Sequence, residues 1–63
     1  MSRCFVVADN HTGIPYRNQE YMTKAECEKW ISHDMEVNNG LGITTVREDY
    51  EIQDHSKFLE GGF

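Results

Sequence analysis

Glu48-Asp49-Tyr50-Glu51, followed closely by Asp54, gathers four carboxylates around one aromatic ring. Charges stay in water, so the ordinary outcome of such a run is a solvated strand face or turn. Read for function, the same residues make an acidic patch with a tyrosine at its centre. Clustered negative charge steers a protein towards basic partners, and Tyr is favoured among residues that anchor interfaces. Asp34 joins them as a candidate. Helical spacing puts it between Cys27, Trp30 and Val37 on an apolar side, where a carboxylate needs a partner. A cap or an ion pair with Arg47 is the simple expectation.

Three acids sit beside imidazoles in the chain: Asp9 near His11, Asp34 after His33, and Asp54 before His55. General acid–base catalysis needs such groups held in a cleft that shifts their pKa and positions a substrate. Neighbours on a strand point to opposite faces and neighbours on a helix diverge by about 100°, so adjacency makes no dyad. A chain this short also has little room for a substrate pocket. No enzyme activity is expected. A metal site would draw on Cys4, Cys27, His11, His33 and His55, which show no Cys-x-x-Cys and no His pair at ligand spacing. No metal or cofactor is expected either, and the two thiols read as core residues.

Charge distribution narrows the partner class. The net charge of −5 lies wholly in residues 32–63, where Asp34, Glu36, Glu48, Asp49, Glu51, Asp54 and Glu60 oppose only Arg47 and Lys57. Direct nucleic-acid binding needs a basic footprint on phosphates, and an anionic membrane surface needs the same. Neither is expected. The longest apolar run, Cys4-Phe5-Val6-Val7-Ala8, stops at Asp9 and is far short of a signal peptide or a membrane span. Two cysteines are too few for a disulfide framework, so the expected setting is a reducing cytoplasm.

Sixty-three residues make one domain, 1–63, with 38% apolar residues and therefore a modest core. Residues 4–8 read as a buried strand. The turn formers of Asp9-Asn10-His11-Thr12-Gly13 lead into Ile14-Pro15-Tyr16, a hairpin whose second strand Pro15 confines to an edge. Thr23-Lys24-Ala25-Glu26 is a capping box, which predicts a helix starting at Thr23 with Cys27, Trp30, Ile31 and Val37 inward. Asn38-Asn39-Gly40 ends it. Residues 43–53 are β-branched and alternating, and predict one long strand in preference to a hairpin bent at Glu48-Asp49. Residues 56–63 form a docked or a flexible tail. The fold expected is α+β: an antiparallel sheet of three or four strands in β-β-α-β order, with one amphipathic helix on one face.

In size, acidity and order of elements, the whole chain resembles the small proteins that bacteriophages make to disable host machinery, such as anti-CRISPR and RNA-polymerase-inhibiting proteins. The resemblance is one of type, and no residue is carried over from it. It implies stoichiometric inhibition by occupying a working surface of a larger host protein, in the bacterial cytoplasm; the acidic second half makes a basic, nucleic-acid-binding groove of a host enzyme the expected surface. The contact residues expected from the sequence are Glu48, Asp49, Tyr50, Glu51, Asp54 and Asp34, in a monomer or homodimer. The alternative is a structural or regulatory domain that self-associates through strand edges and its apolar tail.

Overall fold

The computed structural model describes residues 3–16 and 19–59. Strand β1 (Phe5–Asp9) pairs antiparallel with β2 (Tyr50–Asp54), Val7 standing opposite Ile52, and helix α1 (Lys24–Gly40) lies against the pair. A short helix α2 (Ser56–Leu59) follows. Residues 60–63 of the expected tail lie outside the described residues. The fold is thus α+β with an antiparallel sheet and one main helix. Among the described residues the sheet has two strands, where three or four were expected.

The reason lies on the far side of β1. The turn after β1 forms as its composition suggests: Gly13 takes φ 74°, Gly13 N–H donates to the Asp9 carbonyl, and the Asp9 side chain accepts from His11 N–H. Among the described residues the returning backbone pairs with β1 only at isolated bridges, Ala8 with Pro15 and Phe5 with Met22. Pro15 has no N–H to extend a ladder. Between the bridges, the Gln19 side chain does what a strand backbone would do. Its Oε1 accepts from Val7 N–H and its Nε2 donates to the Val7 carbonyl, both at 2.7 Å, while Nε2 also reaches the Tyr16 carbonyl.

The capping box is present in full, with Glu26 N–H on the Thr23 hydroxyl and Thr23 N–H on the Glu26 carboxylate. The helix runs through Asn38-Asn39-Gly40 and stops later than those residues suggested. Gly42, at φ 81°, lets Ile43 N–H reach back to the Asn38 carbonyl and Gly42 N–H to that of Asn39, a Schellman closure. Cys27 and Ile31 are fully buried and join Val7 and Tyr50 in the core, with Trp30 and Met35 packed against it. Val37, expected inward, is 47% exposed. Asp34 and Asn38 fall nearer the centre of the buried stripe and displace it.

Residues 43–46 do not join a strand, against both expectations for 43–53. The Asp49 carboxylate accepts Val46 N–H, and Arg47–Asp49 coil into a 3-10 turn, so the strand begins at Tyr50. An acid three residues ahead of a backbone donor competes with the ladder, and β-branching does not overcome it.

Two outcomes test this arrangement. Gln19→Ala leaves the buried Val7 N–H without a partner and should destabilise by about 1–3 kcal/mol in urea unfolding, whereas Gln53→Ala, at a more exposed amide, should cost less. Cys4 and Cys27 are buried and form no disulfide, and burial pushes the Cys27 thiol up, so both should resist alkylation until the protein unfolds.

Candidate functional site

The acidic residues do not form one patch. Glu48 lies exposed in the 3-10 turn, where its carbonyl accepts from the Asn10 side chain. Asp49 is turned back on the chain by Val46 N–H, and its other oxygen lies 3.1 Å from His11 Nε2. Strand alternation then separates the remaining two. Glu51 points to the sheet face away from α1 and accepts from Gln53 Nε2, while Asp54 falls on the other parity. Asp54 caps α2 by accepting Ser56 N–H at 2.8 Å, with the Cys4 thiol 3.6 Å away.

Tyr50 is the clearest departure from the expected site. It is 4% exposed and belongs to the core, flanked by the Tyr16 and Trp30 rings at 5.7 and 6.5 Å. Its side chain shares the face of Val7 and Ile52 beneath the helix, and so it anchors the fold instead of the acidic surface. Its hydroxyl donates to Asp34 Oδ2 at 2.6 Å, and Asn38 Nδ2 donates to the same oxygen at 3.2 Å. Asp34 is therefore held by Tyr50 and Asn38, where a cap or an ion pair with Arg47 was expected. Burial first, and the Asp34 carboxylate next, push the Tyr50 phenol up.

Arg47 is engaged elsewhere. Its Nε and Nη2 hold both oxygens of Glu28 at 3.1 and 3.0 Å, and its Nη1 donates to the Tyr50 carbonyl. The pair clamps β2 to the outward side of α1.

None of the three sequence-adjacent acid–imidazole pairs makes a side-chain dyad. Asp9 accepts from the backbone of His11, and His55 lies against Gln53 Oε1 and the Tyr21 hydroxyl. The His11–Asp49 contact, 38 positions apart, is visible only once the turn after β1 is folded onto the 3-10 turn. It stands in solvent with no nucleophile among its contacts. Among the described residues no three His, Cys, Asp or Glu side chains converge to hold a metal ion, and no helix is long and apolar enough to cross a membrane.

Several carboxyls are held below their ordinary range by donors: Asp49 by Val46 N–H and then His11, Asp54 by Ser56 N–H and then its hydroxyl, Glu26 by Thr23 N–H, and Glu28 by Arg47. A lowered folded value means that the unfolded chain binds protons first as pH falls. Stability from these groups is complete above the unfolded carboxylate range, about 4, and is lost as pH drops through the lowered folded values. No family model matches the chain, and no similar curated protein or solved structure was found.

The thermal midpoint should accordingly hold steady from neutral pH to about 5 and fall below about 4, and Asp49→Asn should flatten that fall in a calorimetric pH series. Tyr50→Phe, which leaves Asp34 without its shortest donor, should cost about 1–3 kcal/mol in denaturant unfolding.

Proposed function

We propose that this protein is a non-catalytic binding module whose acidic half docks on a basic surface of a larger protein, in the manner of the phage inhibitors its type resembles. The supporting observation is the placement of Arg47. It is the cation adjacent to the acidic run, and Glu28 of the helix holds it in a two-pronged pair. It therefore neutralises a helix acid and leaves Glu48 and Glu51, on the turn and strand beside it, to face outward. Asp54 extends the same negative field to the end of β2. Asp49 contributes charge, although two of its contacts are structural. Tyr50 contributes only by holding β2 in place.

Occupation of a nucleic-acid-binding groove is the form of inhibition this charge suits best, because such a groove presents lysines and arginines meant for phosphates. The cytoplasm of a bacterial host is the matching setting. The competing reading is self-association. It rests on exposed apolar side chains at both ends of the molecule, with Val37, Leu41, Ile43 and Val46 after and along the helix end and Phe58 and Leu59 on α2. Mass in solution separates the two readings, since a stable dimer at micromolar concentration favours self-association.

Binding to a folded protein with a basic groove should weaken steeply as salt shortens the Debye length below about 8 Å. Glu48→Lys and Glu51→Lys should each slow association in stopped-flow measurements; the thermal midpoint should stay nearly unchanged for Glu48→Lys, whose charge is exposed, and shift slightly for Glu51→Lys, which is half-buried and accepts from Gln53. Salt-independent association, or rates untouched by both reversals, would return these residues to ordinary solvated surface.

A further inference from the structure

The register of the two strands determines which backbone groups of β2 face outward. On β1, the N–H or carbonyl groups of Phe5, Val7 and Asp9 bond to Met22, to Gln19 and Tyr16, and to Ile14 and Gly13, all on the side away from β2. Val6 and Ala8 therefore face β2, and their partners Gln53 and Glu51 complete the ladder. The flanking bonds follow the same parity, with His55 N–H on the Cys4 carbonyl and Asn10 N–H on that of Asp49. It follows that Tyr50, Ile52 and Asp54 turn their peptide groups to the outer edge. Tyr50 is satisfied there, its N–H by the Arg47 carbonyl and its own carbonyl by Arg47 Nη1. Ile52 is not. Among the described residues its N–H and carbonyl have no intramolecular partner, nor has the Asp54 N–H.

An unpaired strand edge is a template for another strand. We propose that the outer edge of β2, from Ile52 to Asp54, takes up an extended lysine- or arginine-bearing segment of the partner protein as an added strand. This rests on the acidic docking reading and specifies how the partner is held. Charge selects the occupant. A strand paired at Ile52 carries its flanking side chains next to Glu51 and Gln53 on the face away from the helix, where a cation meets Glu51 directly. Asp54 lies at the end of the same edge. A second copy of the chain would instead bring another net charge of −5 to this edge. Arg47 and Glu28 close the edge at Tyr50, so pairing starts at Ile52 and the register of the added strand is fixed at that end.

The test uses the intact protein and a short capped peptide of alternating valine and lysine. One twin is N-methylated at the valines, which exchange both hydrogen bonds with Ile52 in antiparallel addition when the lysines flank it, and another is N-methylated at the lysines. The expected result is salt-sensitive binding that slows hydrogen exchange at the Ile52 amide. Methylation at the valines should weaken binding at least about tenfold, and methylation at the lysines should change it little. Salt-sensitive binding that is equal for all three peptides overturns strand addition and leaves the acidic docking reading standing. Absence of binding by the parent peptide overturns the proposal as well. Protection of Ile52 that grows with protein concentration, with no peptide present, makes the occupant a second copy and overturns the basic segment. Failure of the docking reading itself is read separately, from the salt and charge-reversal behaviour of the protein with a basic folded partner.

Discussion

Val7 has no exposed surface, and its peptide group faces away from β2. A buried backbone donor and acceptor must find partners, and among the described residues no third strand supplies both. The Gln19 amide does, because a primary amide carries a donor and an acceptor in the same plane as a peptide and can stand in for one. That substitution lets a two-stranded sheet keep a strand with three consecutive buried residues. It also brings residues 19–23 alongside β1, which places the Thr23 cap and with it the start of α1. The helix can then lay Cys27 and Ile31 on Val7.

At the other end of the helix a second polar contact fixes its position. Tyr50 enters the core with its ring and leaves its hydroxyl at Asp34, and Asn38 closes the group one turn on. An acid and an amide in the middle of a buried stripe cost desolvation unless they are bonded, so the arrangement favours one register of helix against strand. It also explains why Val37 stays outside. Val37 lies to one side of the stripe that Cys27, Ile31, Asp34 and Asn38 mark along the helix.

These two contacts shape the acidic half. Drawing Tyr50 inward orients β2 so that Glu51 faces away from the helix and Asp54 falls on the other parity, and the 3-10 turn ahead of it engages Asp49 with the chain itself. What remains is a strand bearing Glu51 and Asp54 on opposite faces, with one edge closed by β1 and the other open beyond Arg47 among the described residues. The charge and the open backbone lie on the same element, so the proposed docking and the proposed strand addition would draw on one surface.

Much of the fold is legible in local chemistry. Thr23 and Glu26 make a capping box whatever lies around them, five apolar residues bounded by Asp9 and Asn10 make a strand, and Gly13 makes a turn. These are interactions between residues near in sequence, so the chain encodes them directly. Negative charge in the second half is likewise a property of composition. The tertiary structure alone decided the rest, because each remaining choice was a competition between distant partners. Gln19 replaced a strand by reaching Val7, Asp49 ended an alternating run by taking Val46 N–H, and Arg47 chose Glu28 over Asp34. Tyr50 looked like the centre of a surface patch, and packing against Val7, Ile31 and Cys27 made it core. Alternation tells which side chains share a face, but only the helix settling on one side determines which face is buried.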